Sequence, residues 1–194
     1  MANKKEAYLY ISAMLRAREP KMLTREKAEH MLDAQTFEDA AKTLTDCGYE
    51  DMSQMSAKAV ETALSEHRAK IFSEMSRLAP NKAIVDVFRV KYDYHNAKTI
   101  VKAEAMNTDP ASLLSDAGRM KGAALLTAYQ EDRTKEMPGR MGPAILEAKS
   151  VLARTGNPQL ADFVLDRAYF AELTDMAAAL DSRYLAGYAA VLID

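Results

Sequence analysis

The feature that most constrains this chain is the stretch NKAIVDVFRVKYDYHNAKTIVKAEAM, residues 81–106, which contains neither Gly nor Pro. Apolar residues recur in it at steps of three and four: Val87, Val90, Tyr94, Ala97 and Val101. That spacing places them on one side of an α-helix. An apolar stripe of this length must be covered by other elements, so the sequence predicts a long helix that packs against neighbouring helices.

The rest of the chain also favours helices. It contains only seven Gly and six Pro in 194 residues, and Ala, Leu, Met, Lys, Glu and Arg dominate between them. Helix starts are predicted at Thr24, Thr36, Ser56, and the DP and NP pairs at 109–110 and 157–158. Ends are predicted near Ala34, Asp46 and Pro80. No segment has the alternation and β-branched density of a strand, so we predict an all-α protein.

Composition and charge exclude several classes of partner. Twenty-six Lys and Arg stand against 28 Asp and Glu, a net charge of −2, which provides no global field for nucleic acid or an anionic membrane. The single Cys47 cannot form an internal disulfide, and MANKKEAYLY lacks the apolar core of a signal peptide. The apolar runs fall short of the roughly 20 residues that a membrane span needs. We therefore expect a cytoplasmic chain that neither spans a membrane nor binds nucleic acid.

The segment KYDYHNAKTIVKAE, residues 91–104, is the densest cluster of reactive side chains and the first candidate for a catalytic or metal site. A helix turns about 100° per residue, so Asp93 and His95 project about 200° apart and cannot converge on one atom. His30 and His67 have no ligand at i+4, and Cys47 lies at a helix end. No phosphate-binding GxxxxGK[ST] run is present. The sequence predicts no catalytic residue, metal or cofactor.

The predicted helix carries two polar flanks beside its apolar stripe. Lys91, His95, Lys98 and Lys102 form a basic face, which is either solvated surface or a contact face for an acidic partner. On the other flank Arg89, Asp93 and Asn96 lie within bonding reach at spacings of four and three. We expect Asp93 and Asn96, with Arg89, to form a hydrogen-bonded group that fixes how a neighbouring helix docks.

The chain is predicted to consist of three parts. These are a first helical unit (1–80), a second unit (81–143) and the start of a third (144–194), with RTKEMPGRMGP at 133–143 as the clearest interruption of the helical pattern. LDAQTFEDAAKTL (32–44) matches SDAGRMKGAALLT (115–127) at Asp-Ala and Ala-Ala. In so Ala-rich a chain this match is either an internal repeat or chance.

Several segments resemble one known family in the expected order. AYLYISAMLRAREPKMLTREKAEHMLDAQTFEDAAKTL resembles the opening of the C subunit of archaeal and bacterial V-type ATP synthases, which is related to the d subunit of the eukaryotic V-ATPase. KYDYHNAKTIVKA is similar to the family's D-x-H-N-L-K helix, which matches Asp93, His95, Asn96 and Lys98. FVLDRAYFAELTDMA resembles its F-V-D-R-x-Y-F helix, and YLAGYAAVLID resembles the start of an Asp-x-x-Asn helix. Ser12 and Ala97 depart from the family's usual Asn and Leu.

The resemblance implies a structure and a mechanical function. Members of the family consist of three similar helical units around a pseudo-threefold axis, so the chain is expected to be a funnel-like protein truncated in its third unit. The resemblance implies a non-catalytic rotor protein that couples the D and F subunits of the central stalk to the membrane rotor ring, on the cytoplasmic face, without a cofactor. The alternative is a helical adaptor or scaffold of an unrelated assembly.

Overall fold

The computed structural model describes residues 4–193, and its regular structure is helical throughout. Among these residues there are ten α-helices, three short 3₁₀ turns and no strand. The helices, in chain order, are α1 Lys4–Ala7, α2 Leu9–Arg18, α3 Arg25–Asp33, α4 Phe37–Asp46, α5 Ala57–Leu78, α6 Ala83–Met106, α7 Gly122–Gln130, α8 Met141–Thr155, α9 Pro158–Ala179 and α10 Arg183–Ile193. The all-α prediction is confirmed. Asp194, which begins the expected Asp-x-x-Asn motif, lies outside the described residues.

Four of the five predicted helix starts are found in the structure. The Thr24 hydroxyl accepts a hydrogen bond from the backbone N–H of Lys27, and Thr36 and Ser56 do the same at α4 and α5. Asn157 caps α9, and Pro158 takes its first position, where no intrahelical N–H is needed. Local sequence chemistry therefore determines where these helices begin.

The prediction that an α-helix begins at Asp109 and Pro110 is wrong. The Asp109 carboxylate does accept a hydrogen bond from the Ala111 N–H (3.0 Å), but only the 3₁₀ turn Ala111–Leu113 follows. Leu114 then adopts an extended backbone (φ −79°, ψ 142°). The next residues are held against α6 by side chains distant in sequence, and those bonds take the place of a helical continuation.

The described chain divides into two compact units, Met1–Pro80 and Asn81–Asp194. In the first, α3 packs against α4, and Arg18 forms a bidentate ion pair with Glu74 (2.7 and 2.8 Å). Tyr49 stacks on His67, with ring centroids 4.4 Å apart. The division of residues 81–194 at residue 143, the repeated units and the pseudo-threefold axis stay predictions.

The second unit is centred on α6. This helix packs against α8 and α9, and α9 in turn packs against α8 and α10. The predicted stripe is its buried face: Val87, Val90, Tyr94, Ala97 and Val101 are each no more than 2% exposed. Among residues 4–193 we find no helix with the length and apolar character to cross a bilayer.

Candidate functional site

The polar residues of α6 lie on different sides of the helix. Asp93 and Asn96 are fully buried, whereas His95 is exposed and its Nε2 lies 3.2 Å from the carbonyl oxygen of Leu113. The side chains of Asp93 and His95 therefore do not converge on one atom, as helix geometry predicted. Within residues 4–193 no group of three or more His, Cys, Asp or Glu side chains is arranged to hold a metal ion.

Asn96 holds the backbone of Ser115 by two hydrogen bonds. Its Nδ2 donates to the Ser115 carbonyl oxygen, and its Oδ1 accepts from the Ser115 N–H, both at 2.8 Å. Both residues are buried, so water cannot replace either bond. A side-chain amide presents a donor and an acceptor side by side, which is the pattern that a neighbouring peptide backbone offers. Asn96 therefore fixes the chain at Ser115 across α6.

Arg89 and Asp93 hold the following residues of the same segment. Arg89 donates to the carbonyl oxygens of Ala117 (3.3 Å) and Gly118, and the Asp93 carboxylate accepts from the Met120 N–H (3.3 Å). A Cβ on Gly118 would lie 2.4 Å from Asp93 Oδ1, so only glycine permits this approach. All three residues thus bind the segment 115–120, which the sequence did not predict. Their role in fixing how a neighbouring helix docks stays a prediction.

Arg119, on this segment, joins α6 to α9. Its Nε donates to Asp93 Oδ2 and its Nη1 to Glu172 Oε1, both at 2.6 Å. The arginine side chain is 14% exposed, and Glu172 is 4% exposed. Sequence reasoning missed Arg119 and Glu172. Glu172 is visible in the RAYFAELTDMA segment together with Arg167 and Asp175, and only the fold distinguishes it by placing it beside Arg119.

Glu172 accepts two further hydrogen bonds. Its Oε2 accepts from the Tyr94 hydroxyl (2.7 Å) and from the Arg140 N–H (2.9 Å). The chain reaches Arg140 through Gly139, whose φ is +61° and on which a Cβ would lie 1.8 Å from Glu172 Oε1. Glu172 therefore ties the start of α8 to α9 and α6. We call Asp93, Arg119 and Glu172 the buried charge cluster.

Burial dominates the electrostatics of the buried charge cluster. Removal from water raises the pKa of Asp93, and the attraction of Arg119 offsets only part of this effect. Burial acts to lower the pKa of Arg119, but the two carboxylates together raise it. The pKa of Tyr94 is raised by burial and by its hydrogen bond to Glu172. Tyr94 and Arg119 thus remain hydrogen-bond donors throughout the physiological range.

The basic face of α6 is partly neutralised by α9. Lys98 pairs with Asp166 (Nζ–Oδ1 2.6 Å), and Lys102 pairs with Asp162 (3.2 Å). Lys91 is exposed, with its Nζ 4.9 Å from the centre of the Tyr92 ring. Lys98 and Lys102 therefore join two helices, and Lys91 and His95 are the more accessible members of the face. Its contact role stays a prediction.

An open cavity of about 390 Å³ lies beside the C-terminal half of α6. Its lining includes Glu104, Tyr129, Asp132 and Lys149. The Tyr129 hydroxyl donates to Glu104, and Lys149 pairs with the same carboxylate at 3.2 Å. The Tyr129 bond and then Lys149 lower the pKa of Glu104. This network joins α6 to α7 and α8, and its acid is an ionised ion-pair partner rather than a poised proton donor.

Comparisons with known proteins agree on one family. The model of the ATP synthase (C/AC39) subunit family matches residues 11–194. The C subunit of the V-type sodium ATPase of Enterococcus hirae is 24% identical over 166 residues, which are 85% of this chain and 51% of that protein. The C subunit of the A-type ATP synthase of Thermococcus kodakarensis is 28% identical over 120 residues, which are 58% of this chain and 33% of that protein.

A third relative is also a C subunit that this chain matches over only part of its length. The C subunit of the A-type ATP synthase of Methanocaldococcus jannaschii is 29% identical over 105 residues, which are 50% of this chain and 26% of that protein. The chain thus spans about half the length, or less, of the curated relatives that it matches. The resemblance found in the sequence segments is confirmed. Since the family model matches nearly the whole chain, the protein belongs to the ATP synthase (C/AC39) subunit family.

Proposed function

We propose that this protein is a non-catalytic coupling component of an A/V-type ATP synthase or ATPase. In this role it lies on the cytoplasmic face of the membrane and links the D and F subunits of the central stalk to the membrane rotor ring. The observation that carries the proposal is the family match over residues 11–194, with relatives that are each named as the C subunit of such a complex.

The packing and ion pairs of the second unit support this proposal. A body that passes torque must resist rotation of one helix against another, and close packing provides that resistance. In addition, α6 is joined to α9 through Lys98, Lys102 and the buried charge cluster. Several bonds at different positions along two helices oppose sliding and twisting at once. These contacts support the proposal without identifying which surface meets the stalk or the ring.

We further propose that Lys91 and His95 provide the accessible part of the contact face. Both side chains are exposed, whereas Lys98 and Lys102 already have carboxylate partners on α9. A partner segment carrying Asp or Glu would gain electrostatic complementarity here. Because the lysine is exposed, we expect its effect on association to weaken as salt rises.

The test is capture of purified partners by the immobilised protein. The D–F stalk complex and the detergent-solubilised rotor ring, both from the same organism, are applied separately, and bound protein is quantified. We expect both to bind. Because this chain spans half of its relative, the full-length C subunit of Enterococcus hirae with its own stalk complex serves as the assay control. If that control binds and this chain captures neither partner, the proposal is wrong.

The contact face is tested with a matched pair of variants. We expect Lys91→Glu combined with His95→Ala to reduce capture, because the variant places a negative charge where an acidic partner approaches. Lys70→Glu combined with His30→Ala makes the same change in charge and size at two exposed positions of the first unit and should leave capture unchanged. Equal binding by both variants would exclude the α6 face while leaving the coupling role intact.

A further inference from the structure

Two open cavities lie side by side along the C-terminal half of α6. The first, of about 390 Å³, is bordered by α7, and the second, of about 600 Å³, lies between α6 and α8. Glu104 and Lys149 line both cavities, so the two meet at this ion pair. Both volumes fall in the range of about 300–1,000 Å³ that is typical of ligand sites. We call the two cavities together the α6 groove.

The lining of the α6 groove is apolar at its deepest positions. Ile100 and Tyr129, in the first cavity, are 1% and 6% exposed. Val101 and Leu152 line the second cavity together with two alanines. Such a lining accepts apolar side chains, and also the carbon stems of long basic side chains whose charged ends stay near water.

The first cavity carries excess negative charge. Its charged residues are Glu104, Asp132 and Lys149. Lys149 pairs with Glu104, whereas within residues 4–193 the exposed Asp132 carboxylate has no ion-pair partner. Burial, the hydrogen bond to Glu104 and then the charge of Asp132 raise the pKa of Tyr129. Asp132 therefore acts on the space beside the Tyr129 ring, and one negative charge there is left without a partner.

The α6 groove already holds one basic side chain from its own wall. Lys149 Nζ lies 4.5 Å from the centre of the Tyr129 ring and 3.2 Å from Glu104 Oε1. An ammonium group in this position is attracted by the ring face and by a carboxylate at once. The first cavity thus combines an aromatic wall with carboxylates, and Asp132 offers the same kind of partner to a second cation.

We propose that the α6 groove is a docking site for a segment of a partner protein that carries an arginine beside apolar residues. The guanidinium enters the first cavity and pairs with Asp132, while the apolar neighbours cover the second cavity. Arginine fits better than lysine because its planar fork binds a carboxylate through two hydrogen bonds. Excess negative charge disfavours anionic ligands such as nucleotides, nucleic acid and lipid headgroups. The proposal does not depend on the coupling role, so each of the two is tested separately.

The first experiment uses the blocked tripeptide acetyl-Leu-Arg-Leu-amide as the probe. It is titrated into the ¹⁵N-labelled protein, and binding is followed by the shifts of the backbone amide signals. The same peptide with citrulline in place of arginine is the neutral isostere. We expect the signals of Tyr129, Asp132 and Lys149 to shift, and the citrulline peptide to bind about two- to fivefold more weakly, the range for an exposed ion pair. Equal binding by the two peptides, or shifts confined to other residues, would overturn the proposal.

A matched pair of variants tests the role of Asp132. Asp132→Asn removes the charge at constant size, and Asn tolerates the left-handed backbone found there (φ 54°). Asp181→Asn makes the same change at an exposed residue of similar backbone, φ 48°, at the end of α9. We expect Asp132→Asn to abolish the difference between the arginine and citrulline peptides, and Asp181→Asn to preserve it. A difference that survives in Asp132→Asn would show that the arginine binds elsewhere.

Methylguanidinium distinguishes a protein segment from a small cation as the occupant. It carries the head group of arginine without apolar neighbours. We expect it to bind more weakly than the arginine peptide and to leave the amide signals of Leu152 and Ala153, in the second cavity, unshifted. If methylguanidinium binds as tightly as the peptide, the α6 groove is a site for small cations and the docking proposal is wrong.

Discussion

Replacement of Asn96 by Leu tests the central contact of the site. Leu removes the donor and the acceptor that hold the Ser115 backbone and leaves both backbone groups buried. Leaving one buried polar group unsatisfied costs about 1–3 kcal/mol, so two give a loss of about 4 kcal/mol in the free energy of unfolding.

The assay is thermal and urea unfolding followed by circular dichroism. A loss of about 4 kcal/mol corresponds to a decrease in Tm of about 8–16 °C for a chain of this size. Gln159→Leu is the matched control, because it replaces an exposed amide with the same side chain and should change stability by less than about 0.5 kcal/mol. Equal stability of the two variants would refute the conclusion that Asn96 fixes the segment.

Two further substitutions test Glu172 and its surroundings. Gly139→Ala should cost about 3 kcal/mol or more in unfolding free energy, because it combines a positive φ with a clash against Glu172, whereas Gly156→Ala has a similar φ and open space and should cost about 1 kcal/mol. Urea midpoints that fall equally would contradict the clash. Tyr94→Phe removes the buried hydroxyl bound to Glu172 and should lower stability by about 1–3 kcal/mol, while Tyr184→Phe, on an exposed ring, should have no effect. A calorimetric Tm of Tyr94→Phe equal to that of the wild type would show that the bond contributes nothing.

The contacts of the site explain why a helical protein carries polar residues in its core. The segment 115–120 is not helical, so its backbone groups lack the internal partners that a helix provides. Arg89, Asp93 and Asn96 supply those partners from α6. The motif that resembles the family's D-x-H-N-L-K helix therefore includes two residues, Asp93 and Asn96, that hold a loop in place.

The sequence by itself determined the all-helical class, the helix starts at Thr24, Thr36 and Ser56, and the buried stripe of α6. Capping at Thr24, Thr36 and Ser56 is local, since donor and acceptor lie three residues apart, and the apolar period of α6 follows from helix geometry. The separation of Asp93 from His95 follows from the same geometry. Such features depend on neighbours along the chain, which the sequence shows directly.

Only the tertiary structure decided the partners of the polar residues. Arg119 lies 26 residues from Asp93 and 53 from Glu172 in the sequence, and no periodic pattern relates positions so far apart. For the same reason, the sequence could not show that Lys98 and Lys102 of the basic face pair with carboxylates of α9. Charge is visible in a sequence, but its neutralisation depends on which helices pack together. Which helices pack together follows from burial of the apolar surface of the whole core, and no single segment of the sequence shows it.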